Sequence, residues 1–203
     1  MARKPPKGKS LAEINPDLAK HWHSAKNGEL SPFDFMPGSH KKVWWKCNKG
    51  LDHEWITSIE KRTIRKSGCP VCAGRKVVKS NCLLTTHPEI AKEWHPKKNG
   101  DIFPQHIYHG SHKKYWWKCD KGSDHEWETR VYIRTINGAN CPVCVGQKVV
   151  KSNCLSTTHP AIAKEWHPTK NKGKLPENVI IGSTKKYWWK CDKGSDHEWE
   201  ASL

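Results

Sequence analysis

Cys47 and His53, separated by five residues, are followed after a gap of fifteen by a Cys-Pro-Val-Cys turn carrying Cys69 and Cys72. The same four side chains return as Cys119, His125, Cys141 and Cys144. Two thiolates two residues apart chelate one ion from a single turn, and a distant Cys/His pair completes a tetrahedron. Soft sulfur combined with imidazole suits zinc. Four protein donors leave no position open for water, so such a site is structural. A third pair, Cys191 and His197, precedes Leu203 without a second Cys-Pro-x-Cys turn. The expectation is Zn2+ at two complete sites and one incomplete site, with the chain read as a piece of a longer array.

These donors must be held by a repeated unit, because Cys47, Cys119 and Cys191 recur at every 72nd residue, as do His53, His125 and His197. The twelve tryptophans fall four to a copy, as Trp22, Trp44, Trp45 and Trp55 do in the first. The copies are set at residues 10–81, 82–153 and 154–203, behind a basic lead-in at 1–9 (Arg3, Lys4, Lys7, Lys9). Within a copy, the prolines of "HPEIAKEWHP" bracket a short helix with Ile90, Ala91 and Trp94 on one face. "NGDIFPQHIYHGSHKKYWWKC" reads as a turn and a strand running into a hairpin, and "HEWETRVYIRTI" as a further strand. The fold class is therefore small, zinc-stabilised α+β, with a short helix and β-hairpins in each of the tandem repeats.

Only 35% of the 203 residues are hydrophobic, and a unit of this size with so thin an aliphatic core needs a staple. Zinc supplies it, and the large rings of Trp22, Trp45 and Trp55 and their equivalents fill the space around it. Cys82 and Cys154 align with Ser10, so they are read as packing thiols. No apolar run is long enough to span a membrane and the start lacks a secretory segment. That points to an intracellular protein, in cytoplasm and nucleoid or in a nucleus, where nine cysteines favour metal over disulfides.

The order "HPEIAKEWHPKKNG", "GSHKKYWWKC", "DHEW", an arginine and "CPVC" resembles the treble-clef zinc-finger family, also called probable zinc-ribbon repeats. That family occurs in tandem and is sometimes joined to nuclease domains. The resemblance runs from about residue 10 to the end. It implies one knuckle at the first ligand pair, a second at Cys-Pro-x-Cys, and DNA binding.

Thirty-six Lys and Arg against 20 Asp and Glu, a net charge of +16, call for a polyanionic partner. Lysine doublets stand before each Trp pair, Lys41 and Lys42, Lys113 and Lys114, Lys185 and Lys186. Arg62 and Arg134 follow on the next segment, and Arg75 at the exit from the Cys-Pro-x-Cys turn. These are assigned to phosphates. Base reading is assigned to positions where the copies differ, among them Gln105, His106, Asn178 and Arg130, although drift at solvated positions would produce the same variation. The reading is a double-stranded DNA binder without catalytic activity. Each "DHEW" histidine is committed to metal, and Thr57 stands where a metalloprotease helix needs a second histidine. RNA or single-strand binding, and the recognition part of a nuclease whose catalytic segment lies elsewhere, are the alternatives.

Overall fold

The computed structural model describes residues 4–194 and 196–203, so Arg3 of the basic lead-in lies outside the described residues. The first copy opens with α1 (Leu11–Ile14), α2 (Pro16–Ala19) and α3 (Ser24–Asn27). Ser10 and Glu13 close a reciprocal capping box at the start of α1, and Pro16 begins α2 at the position where a missing N–H costs nothing. Next comes a hairpin of β1 (Lys42–Lys46) and β2 (Glu54–Ser58), antiparallel and in register at Trp45 against Trp55. Helix α4 (Ile59–Thr63) follows β2 directly, capped by the Ser58 hydroxyl.

The pattern is repeated twice. The second copy has α5 (Leu83–Thr86), α6 (Pro88–Lys92), the hairpin of β3 (Lys114–Lys118) and β4 (Glu126–Arg130), and α7 (Val131–Thr135). The third has α8 (Leu155–Thr158), α9 (Pro160–Lys164) and the hairpin of β5 (Lys186–Lys190) and β6 (Glu198–Ser202). Among the described residues no helix is long and apolar enough to cross a membrane.

Three segments differ from the sequence reading. Residues 131–135 are helical rather than strand: Val131 and Ile133 alternate, but Val131 is the residue that turns inward to start α7. Residues 101–113 hold a turn and a 3-10 segment, Pro104–His106, and the strand begins only at Lys114. The helix of "HPEIAKEWHP" also stops at Lys92, leaving Trp94 to reach the hairpin through an isolated bridge to Trp117.

A two-stranded hairpin buries little by itself, and here tryptophan makes up the difference. Trp45 and Trp117 are fully buried, and Trp22 meets Trp45 edge-on at 5.8 Å, as Trp94 meets Trp117 at 5.3 Å. The open strand edge is closed by an asparagine: Asn27 donates to the Trp44 carbonyl and accepts from its N–H, both at 2.8 Å, and Asn99 and Asn171 repeat the clamp on Trp116 and Trp188. These three asparagines satisfy backbone groups that would otherwise be unpaired at the edge.

The chain separates into two compact units, one of Met1–Ala91 with Asp101–Ser111, the other of Lys92–Gly100 with His112–Leu203. In the first unit Tyr108 lies against the exit of the Cys69–Cys72 turn, so close that a Cβ on Gly74 would sit 2.4 Å from its ring. In the second, Ile180 occupies the equivalent place over Gly146, at 3.0 Å.

Candidate metal centre

Each tetrad is assembled from a hairpin and a turn. Cys47 follows β1 and His53 precedes β2; the Cys47 N–H donates to the His53 carbonyl at 2.9 Å and the His53 N–H to the Gly50 carbonyl at 3.2 Å, which folds the connection back on itself. The imidazole packs so tightly over this loop that a Cβ on Gly50 would lie 2.6 Å from the ring, and one on Gly122 2.5 Å from that of His125. Glycine is required there by proximity. Pro70 accepts from the Arg75 N–H at 2.8 Å, closing the second turn around Cys69 and Cys72.

The four donor atoms, Cys47, Cys69 and Cys72 Sγ with His53 Nδ1, lie within 4.8 Å of one another, and so do their counterparts in the second copy. Cys47 and Cys72 sulfurs are 3.7 Å apart, and His53 Nδ1 is 3.3 Å from Cys72 and 3.9 Å from Cys69. In the second copy the same separations are 3.7, 3.4 and 3.9 Å. A tetrahedral ion with metal–sulfur bonds of about 2.3 Å and a metal–nitrogen bond of about 2.0 Å needs S–S of about 3.8 Å and S–N of about 3.5 Å. The residues fit a four-coordinate ion with no donor missing.

The histidine is oriented from behind. His53 Nε2 meets the Ser80 hydroxyl at 3.2 Å, which donates to Asp52 at 2.6 Å, and the Ser80 N–H donates to the same carboxylate at 2.9 Å. His125, Ser152 and Asp124 repeat the chain. With the proton on Nε2, Nδ1 is free to ligate, the arrangement that fixes the tautomer of metal-bound histidines. The Ser80 hydroxyl holds the Asp52 carboxyl below the usual range, and the Ser152 hydroxyl does so for Asp124. In the sequence the recurring "KSN" is the only signal of Ser80 and Ser152.

A family described as a probable treble clef zinc finger domain matches residues 18–75, 90–147 and 162–203. The chain belongs to this family. No curated protein matches it. In its third treble-clef repeat Cys191 is half-buried and His197 exposed, and no third cluster of three or more donors gathers among the described residues. Cys82 and Cys154 are buried outside both tetrads.

The cations of the repeats divide into two groups. Lys41, Lys42, Arg75, Lys113, Lys114, Arg130, Lys185 and Lys186 are exposed. Arg62 and Arg134 are not available to phosphates, which corrects their assignment. They are 8% and 4% exposed, and each guanidinium lies about 5 Å from two tryptophan rings, Trp45 and Trp55 or Trp117 and Trp127. Arg134 is paired with Glu93 at 2.6 Å, and Arg62 meets His21 instead, at 3.1 Å. Lys76 and Lys148, beside the exit turn, donate to the carbonyls of Glu54 and Glu126. Of the variable positions, Asp34, His106 and Asn178 each accept an N–H that closes their 3-10 turn, from Ser31, Phe103 and Leu175. Gln105 is exposed.

Lys26, Lys98 and Lys170 each place an ammonium 4.3–4.6 Å over the half-buried ring of Trp44, Trp116 or Trp188, and each also bonds the glutamate that opens the following strand. The Lys98 bond, first among its partners, brings the Glu126 carboxyl down to about 2, and Lys170 does the same for Glu198.

Proposed function

We propose that the chain is a zinc-dependent, non-catalytic module that binds double-stranded DNA, its treble-clef repeats gripping phosphates in series. The observation that carries the reading is a lysine doublet at the entry of every hairpin, exposed and fixed to a scaffold braced by buried tryptophan. A cation held on a rigid element loses less freedom on meeting a phosphate, and each contact releases counterions. Zinc is the ion because three thiolates and one imidazole in a tetrahedron suit it. Single-strand stacking is disfavoured at Trp44, Trp116 and Trp188, because a lysine already lies over each ring, which leaves Trp199 as the exposed ring of the third hairpin. The non-catalytic reading is supported by the commitment of Asp52 and Asp124 to their serines.

The test is selection on the zinc-loaded chain with randomised duplex DNA near physiological salt, with single-stranded DNA and RNA as competitors and a parallel arm in chelator. Retention of duplex over competitors, lost in chelator, is the expected result. Preference for either competitor, or binding that survives metal removal, overturns it.

A further inference from the structure

The copies differ at one corner of the hairpin, and there the second copy gives up stability and gains charge. The register pairs Lys42 with Ser58 and Lys186 with Ser202, but Lys114 with Arg130. Like charges directly opposite each other on an antiparallel pair repel. The same residue also forfeits a cap. The Ser58 hydroxyl accepts the Lys61 N–H at the start of α4, whereas Arg130 stands at the head of α7 and makes no side-chain cap.

The neighbouring helix differs as well. Glu60, in α4, and its partner Arg65, 2.9 Å away, have their counterparts in Tyr132 and Asn137, so the second copy lacks that ion pair and Tyr132 is tilted against His112, with ring centroids 4.4 Å apart. The outcome is a corner formed by Lys113, Lys114 and Arg130, with His112 and Tyr132 beside it. Among the described residues neither Lys114 nor Arg130 reaches a carboxylate within ion-pair distance. By register the facing acid is Glu128, opposite Trp116 and two positions along the same face. A corner where one substitution both sets like charges opposite each other and forfeits a helix cap is where a functional demand is expected.

We infer that this corner is the principal phosphate anchor of the array. Lys114 and Arg130 close on one phosphate group, with Lys113 alongside, and its charge relieves the repulsion carried by the free protein. The equivalent corners of the other copies, with serine at position 58 or 202, contribute less. The inference rests on the nucleic-acid reading above for the source of the phosphate, and on geometry alone for the anion site.

The zinc-loaded full chain, Arg130→Ser, and Lys164→Ser as an exposed control in α9 are melted with and without tripolyphosphate, then titrated with a short duplex over a salt series. In plain buffer Arg130→Ser is expected to melt about 3 °C higher, having recovered a cap and lost a like-charge pair. Its plot of log affinity against log salt should flatten by about 0.9, the value of one phosphate contact. Tripolyphosphate should stabilise the wild type more than Arg130→Ser, and Ser58→Arg in the first copy should show the reverse of both effects. Equal stabilisation of wild type and Arg130→Ser by tripolyphosphate overturns the anchor. So does an equal loss of duplex affinity in Arg130→Ser and Lys164→Ser. A wild type that binds no duplex, yet is stabilised by tripolyphosphate through Arg130, upholds the anion site and removes the nucleic-acid reading instead.

Discussion

Replacing His21 with glutamate is expected to stabilise the first copy by about 1.5 kcal/mol at neutral pH and to remove the part of its sensitivity to mild acid that the His21 imidazole carries. Arg62 and Arg134 occupy equivalent positions and are buried in the same way, between two indoles. Their partners differ. Glu93 neutralises Arg134 at 2.6 Å, whereas the Arg62 Nη2 donates to a neutral imidazole, His21 Nδ1, at 3.1 Å. A hydrogen bond to a charged group contributes about 1.5–3 kcal/mol, and the Glu93 side chain is 32% exposed, so water screening places the gain at the low end. For the unit of about a hundred residues that holds the first copy, this corresponds to a rise of about 5 °C in melting temperature.

The pH dependence has a definite sign. Burial, and then the Arg62 charge, hold the His21 imidazole below the usual histidine range. The unfolded chain therefore takes up its proton first, at about pH 6.5, and stability is lost as pH falls from there through the folded value. A glutamate at position 21 stays ionised in that window. Calorimetry of the zinc-loaded wild type and His21→Glu at about pH 7 and pH 5.5 isolates the effect, because protonation of the metal ligands is common to both. The variant should lead at pH 7 and lead by more at pH 5.5. An unchanged or lower melting temperature at neutral pH, or a lead that does not grow in acid, would refute the assignment of His21 as a weak partner for a buried arginine.

The metal sites and the turn glycines yield further expectations. Burial, reinforced by neighbouring thiols, pushes Cys72 up to about 11 and Cys144 up to about 12, so metal uptake at neutral pH must release protons and tighten as pH rises. Calorimetric titration in buffers of different ionisation enthalpy counts those protons, and a count of zero would remove the thiolates from the site. Cys72→Ser and Cys144→Ser should each lose one equivalent of bound metal by mass spectrometry while keeping the other; loss of both from either variant would contradict independent tetrads. Gly74 and Gly146 have φ of +64° and +70° and share the cost of about 1 kcal/mol for a side chain in that region. Gly74→Ala must also displace the Tyr108 ring, whereas Gly146→Ala meets only the tip of Ile180. Urea unfolding should therefore show the first change costing about 2 kcal/mol more than the second, and equal midpoints would count against Tyr108 as the rigid neighbour.

The metal tetrads and the tryptophan framework were legible because both rest on residue types with few other uses at fixed spacing. A Cys/His pair and a Cys-Pro-Val-Cys turn leave little freedom once four donors must meet, and of the adjacent Trp44 and Trp45 only one side chain could enter the core. The start of α4 and α7 was not legible. A run of β-branched and aromatic residues such as Val131 to Ile133 satisfies strand alternation, and only the tertiary contact that buries Val131 turns it into a helix. The arginines were misread for a related reason: a lone cation in a basic sequence looks solvated, and only the arrival of two indoles from the hairpin shows it to be a core residue. Their recurrence in step with the tryptophans was the available signal.

Variation among the copies carries a different lesson. Asp34, His106 and Asn178 differ in charge and shape, yet all accept the same N–H across a 3-10 turn, so their exchange preserves a local bond and needs no ligand to explain it. Phe33, Gln105 and Glu177, one position earlier, are exposed and close no such turn bond, so structure places no comparable constraint on them. If the array reads bases, discrimination should track this second set. Exchanging Gln105 for Glu should alter the selected DNA motif without shifting the melting temperature, whereas His106→Ala should lower the melting temperature and leave the motif unchanged. A motif that follows residue 106 instead would mean that the turn bond is incidental and that the capping side chain is the reader.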